Sequence, residues 1–168
     1  MTPAELLTDA FERVLKITTA AVDGLTEEQL ASRPDPDANS IAWLVWHLAR
    51  VQDDHVADVA GTEQVWTARD FVGRFDLPLD SEATGYGMSS EEVGHVRASA
   101  ELLAHYVAAV HEATAAYVAT LEPGDLDRVV DERWDPPVTL GVRLVSVLSD
   151  DLQHAGQAAY LKGLLTSE

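Results

Sequence analysis

The chain has 168 residues, a formal net charge of −18 and 46% hydrophobic residues, enough for one well-filled core and too few for two comfortable domains. So acidic a surface repels nucleic-acid phosphates and anionic lipid headgroups, which excludes nucleic acid and membrane as expected partners. There are no cysteines, so disulfides, thiolate metal ligands and a cysteine nucleophile are excluded together, and thiol chemistry would need a thiol from outside.

The opening segment, MTPAELLTDAFERVL, is amphipathic and acidic and lacks the apolar centre of a signal peptide. No stretch reaches about 18 uninterrupted apolar residues, and a cytoplasmic location is expected. A first long helix is predicted from about Pro3 to Asp23, capped by Thr2, with apolar residues at helical spacing and Gly24 as its stop. Thr26 and Gln29 form a capping-box pattern for a short segment, and SRPDPDANS is a turn-rich connection. A second long helix starts near Asn39–Ser40 and stops at Gly61. Residues 62–88 carry aromatic residues, Pro78, Gly85 and Gly87 without a sustained period. They read as a long, partly ordered excursion over the body of one domain spanning 1–168, and excursions of that length are often functional.

A third helix is expected from Ser89, with Glu92 completing another capping box, through Val93, Val96, Ala100, Leu103 and Val107 to Pro123–Gly124. After Pro136–Pro137 a fourth runs from about Thr139 to Leu165. It is apolar nearly all round, as expected of a helix at the centre of the fold. Four seam-forming helices predict an all-α helix bundle.

Polar residues inside the apolar runs point to a site. Asp150 and His154 are four apart, on one face of the fourth helix, with Gln157 three further on the same side. Metal ligands from one helix have this spacing, and an Asp–His ion pair is the competing reading. The second helix offers His47 and His55. Eight residues separate them by about 12 Å along a helix, so they cannot share an ion whose ligand bonds are about 2 Å long. Asp53, Asp54 and Asp58 are expected to face solvent, and His95, His105 and His111 to be solvated or boundary residues.

The segments LTEEQLASRP, NSIAWLVWHLARVQDDH and DDLQHAGQAAYLKGLL, in this order, resemble the DinB-like superfamily. The branch is the one that includes mycothiol-dependent maleylpyruvate isomerase. The segments RFDLP…TGYGMSSEEVGHVR and VVDERWDPPVTLGVRLVSVLSDD look like the same branch. The resemblance implies a DinB/YfiT-like four-helix bundle of up-down-down-up topology, often paired as a homodimer. It implies a divalent-metal site with ligands at His47, the histidine before Leu48–Ala49, and at His154 of the H-x-G-Q motif. The third ligand falls on Asp150, a histidine in most of the superfamily and acidic in the isomerase; Asp151 competes with it, and His55 is the alternative on the second helix.

Two histidines and a carboxylate suit Zn, Ni, Fe or Mn and leave positions open for water or substrate. The expected activity is that of a metal-dependent thiol transferase or isomerase acting on a small molecule, with a low-molecular-weight thiol such as mycothiol as cosubstrate. Trp43, Tyr86, Arg143 and Gln157 are candidate substrate-pocket residues, Arg143 as a partner for a carboxylate. A metal-dependent hydrolase and a non-catalytic, metal-stabilised dimeric bundle are the alternatives.

Overall fold

A computed structural model describes residues 1–167. Four long helices form the body: α1 (Pro3–Val22), α3 (Ile41–Ala60), α7 (Ala100–Val118) and α8 (Leu140–Leu165). Shorter helices α2 (Glu27–Ala31), α4 (Val65–Ala68), α5 (Phe71–Phe75) and α6 (Ser90–His95) lie between them. Each long helix starts where a hydroxyl side chain can take a free amide of its first turn. Thr2, Ser40, Ser99 and Thr139 accept from Glu5, Trp43, Leu102 and Val142. Helix α3 stops at Gly61, whose φ of 67° is left-handed and suits glycine.

Side-chain contacts fix the helix directions. Leu7 packs near Leu140 and Leu144, Phe11 meets Val147, and Lys162 Nζ donates to the carbonyls of Ala20 and Asp23 at 2.6 Å each. Helices α1 and α8 are therefore parallel neighbours. Val56 and Val59 at the end of α3 meet Leu140 and Leu144 at the start of α8, so those two run antiparallel. Gln52 Nε2 donates to Thr114 Oγ1 at 2.7 Å and Tyr117 Oη to the Val59 carbonyl at 3.3 Å, which sets α3 and α7 in the same direction. The order is up, down, down, up, as the resemblance implied. Among the described residues no helix is long and apolar enough to cross a membrane.

Two expectations about the helices need correction, and a short strand pairing is added to them. The third helix is broken: residues 96–99 are extended between α6 and α7, because Ser99 starts a new helix with its own cap. A short antiparallel pairing, β1 (Val129–Asp131) with β2 (Val138–Thr139), occupies the stretch before α8. The central helix is α3, not α8. Every residue from Ile41 to Asp53 is buried, whereas Val142, Val145 and Leu152 of α8 are exposed.

Helix α3 is enclosed because the 62–88 excursion folds over the face that would otherwise meet water. Trp66, Phe71 and Phe75 pack at tilted or edge-on angles around Tyr106 of α7 and anchor it. Asp53, expected in solvent, is buried instead. Its carboxylate accepts from the amides of Val65 and Trp66 at 2.8 Å each and from Tyr106 Oη at 3.0 Å. It thus satisfies the first amides of α4, which have no partner inside that short helix. Burial pushes the Asp53 carboxyl above its ordinary value, and these donors oppose the shift.

Asp53→Ala leaves two buried amides and a phenol without an acceptor. A loss of about 3 kcal/mol is expected, read as a lower urea midpoint with the same slope.

Candidate metal centre

Helix α3 supplies His47, and α8 supplies Asp150 and His154. Among the described residues these three form a group whose ligand atoms all lie within 4.8 Å of one another. His47 Nε2 is 3.9 Å from Asp150 Oδ2 and His154 Nε2 is 3.6 Å from Asp150 Oδ1. Donors about 2.1 Å from a common tetrahedral ion would stand about 3.4 Å apart, so these two His–Asp pairs lie within about half an ångström of the spacing a small divalent cation needs.

The donor chemistry fits as well. His47 Nδ1 donates to the Thr84 carbonyl at 2.5 Å and His154 Nδ1 to Gln157 Oε1 at 2.9 Å. Each ring then carries its proton on Nδ1 and turns an Nε2 lone pair toward Asp150. Burial lowers the His47 pKa, against the Thr84 carbonyl and Asp150, and so favours the neutral ring that binds metal. Asp150 Oδ2 is buried and has no hydrogen-bond partner. Such an orphaned oxygen is costly unless a cation meets it.

The excursion locks His47 in place. Gly85 has a φ of 106°, and a side chain there would overlap His47 Nδ1 and come within 3.1 Å of Trp43 Cζ2. Only glycine lets the Thr84 carbonyl come this close. Trp43 stacks on His47 with centroids 4.5 Å apart, and Tyr86 meets the ring edge-on at 5.2 Å.

The other candidates fall elsewhere. Asp151 is fully buried on the seam of α8 that also carries Leu144, Val147 and Ala155, outside the group of three. Neither of its oxygens has a partner, and burial with Asp150 alongside holds its carboxyl well above the usual range. His55 accepts from Arg143 Nη1 at 3.1 Å on Nδ1, and burial and that guanidinium lower its pKa. Arg143 Nη2 also donates to Asp131 at 3.1 Å. Gln157 holds His154. A cleft of about 420 Å³ opens beside Asp150, lined by Val51, His55, Tyr86, Val142, Val145 and Gln153 among others.

Sequence reasoning missed Thr84 and Gly85, which approach His47 across 37 residues of chain. It also missed Asp131, which Arg133 holds from both its amide and its guanidinium. The glycine-rich TGYG stretch was the visible trace of the first.

The family profile described as Mycothiol-S-transferase matches residues 6–167. A conserved protein from Enterococcus faecalis, known from a crystal structure, is 30% identical with a TM-score of 0.93. The match covers 100% of this chain and 99% of that one. Among proteins with curated descriptions, none matches the chain.

Gly85→Ala is expected to weaken binding of a divalent cation by roughly 10- to 100-fold, the usual effect of disturbing a ligand's supporting hydrogen bond. Isothermal titration of the metal-free protein checks this, with circular dichroism confirming an intact fold.

The Arg133 guanidinium and amide hold the Asp131 carboxyl well below the usual range. Its stabilising effect is therefore in place above the unfolded value of 3.8 and is lost as pH falls below it. Asp131→Asn should lower the urea midpoint at neutral pH and lose less stability than wild type between about pH 5 and pH 2.

Proposed function

Because this chain belongs to the mycothiol-S-transferase family, we propose that it is a divalent-metal-dependent S-transferase or isomerase. Its cosubstrate is a low-molecular-weight thiol such as mycothiol, and it acts in the cytoplasm as a homodimer of single-domain subunits. The observation that carries the reading is the convergence of His47, Asp150 and His154 beside an open cleft, with both imidazole Nδ1 atoms already engaged.

His47, Asp150 and His154 would hold the ion, and Zn, Ni, Fe and Mn all accept two imidazoles and a carboxylate. A divalent ion held there supplies Lewis acidity, lowering the pKa of a thiol that enters its open positions. The chain's own residues do the rest. Trp43 and Thr84 fix the plane and tautomer of His47, and Gln157 does the same for His154. Val51, Val142 and Val145 give the cleft an apolar wall for the carbon skeleton of the second substrate. Tyr86, its phenol pushed up by burial and by Asp150, stays protonated at neutral pH and offers a hydrogen-bond donor at the rim. His55 is held neutral by burial and by Arg143, with its proton on Nε2. A substrate carboxylate would reach Arg143 only by competing with Asp131.

Cobalt-substituted protein tests the reading. Mycothiol is expected to shift the visible d–d absorption of the wild type. His154→Ala is expected to bind less than about a tenth of an equivalent of cobalt while keeping its helicity. A spectrum that mycothiol leaves unchanged, in protein holding one cobalt per chain, argues for a hydrolytic or purely structural metal and against thiol transfer.

A further inference from the structure

The end of the cleft farthest from the metal ligands is formed by His55, and a relay of polar groups fixes that ring. Arg133 donates to Asp131 from its amide at 3.0 Å and from Nη2 at 2.8 Å. Asp131 also accepts from Arg143 Nη2 at 3.1 Å, and Arg143 Nη1 lies 3.1 Å from His55 Nδ1. A guanidinium can only donate, so His55 Nδ1 must accept, and the one proton of the ring sits on Nε2. Asp54 Oδ2, 3.9 Å from the same Nδ1, is too far to hold a proton there. Among the described residues no group accepts from Nε2, and it is not one of the buried atoms left without a partner. Arg143 and Asp131 line a separate hollow. Nε2 therefore carries its proton out on the other side of the ring, where His55 lines the cleft beside Asp150.

We propose that His55 selects the second substrate: an uncharged carbonyl compound with an apolar body, in preference to a carboxylate or an amine. This deepens the thiol-transfer reading above and rests on it for the reaction. His47, Val51 and His55 follow one another at four-residue spacing on one face of α3, so about 12 Å of helix separates the first imidazole from the last. Val51 floors that interval, and Val142 and Val145 wall it. The body of a ligand there lies on apolar side chains, and its far end meets one N–H. That ring, its lone pair already taken by Arg143, can give a hydrogen bond and cannot receive one, so an ammonium group gains nothing from it. A carboxylate fares no better. Arg143 is already held by Asp131, and the adjoining hollow sets Asp54, Asp58, Asp131 and Glu132 against two guanidiniums. With Asp150 at the other end of the cleft, a further negative charge meets repulsion. A neutral carbonyl oxygen accepts from Nε2 and meets neither difficulty.

Nitrogen NMR of the His55 ring tests this. In zinc-loaded protein at neutral pH, His55 should show a bare Nδ1 and a protonated Nε2. The reverse tautomer, or a doubly protonated ring, overturns the proposal. Hexanamide, hexanoate and hexylamine are then titrated into full-length protein stripped of metal, its fold checked by circular dichroism, so that no probe binds the ion instead of the cleft. Hexanamide should shift the Nε2 signal and bind about tenfold more tightly than the other two. His55→Phe should lose that preference with unchanged circular dichroism. His55→Gln should keep it, because a glutamine can accept from Arg143 through Oε1 and donate through Nε2. Equal binding of the three probes, no binding of hexanamide, or a preference that survives His55→Phe overturns the assignment. Tighter binding of hexanoate or of hexylamine overturns it as well, in favour of an anion or a cation site. The titrations contain no metal and no thiol, so none of these failures touches the thiol reading. A cobalt spectrum that mycothiol leaves unchanged would sink that reading and leave the preference of His55 standing.

Discussion

The enclosure of α3 is the constraint on which the rest depends. From Ile41 to Asp53 this helix is buried on every side, so its polar side chains depend on protein partners, and all but the Trp46 indole N–H find one. Arg50 is met by the Ala83 carbonyl, by Gln64 and by the face of Trp66. Gln52 is met by Thr114, Asp53 by the start of α4, and His47 by Thr84. The excursion is thus less a loop than the fourth wall of α3. Its path is dictated by where those side chains need acceptors and donors, and the metal centre inherits its rigidity from the same requirement.

Two adjacent acids on α8 show how one residue of helical rotation decides chemistry. Asp150 projects toward α3, where two imidazoles approach it. Asp151 projects into the core, where nothing polar reaches it. A buried carboxyl without a partner carries a standing cost to stability. The structure shows no bond that offsets it, and sites that combine such costs with converging ligands tend to be functional ones.

Much of the bundle was legible because caps and stops are local. Thr2, Ser40, Thr139 and Gly61 each mark a boundary through the conformation of a few neighbouring residues, and the spacing of Asp150 and His154 is a property of one helix. What was not legible is what depends on the partner face. The apolar residues of α8 were read as core all round, because hydropathy cannot say whether Val142 and Val145 meet the bundle or the outside. Asp53 reads with Asp54 and Asp58 as a solvent-facing acid, because only the folded chain brings the amides of Val65 and Trp66 to it. The break at residues 96–99 was hidden because Val96 and Ala100 keep the period while the backbone between them does not. Choosing His47 over His55 needed the family resemblance. The structure adds a physical difference, since His47 faces Asp150 while His55 is turned to Arg143.

The parallel contact between α1 and α8 also bears on how the molecule comes into being. Residues 23–139 separate the two helices, so α1 must wait for a helix made long after it. Closing so large a loop costs entropy that only the finished contact returns. Until then Phe11, which packs against Val118 of α7 as well as Val147 of α8, is only partly covered in the growing chain. Two of the three grouped donors arrive with the same late helix. Completion of the core and delivery of Asp150 and His154 therefore come with the same helix.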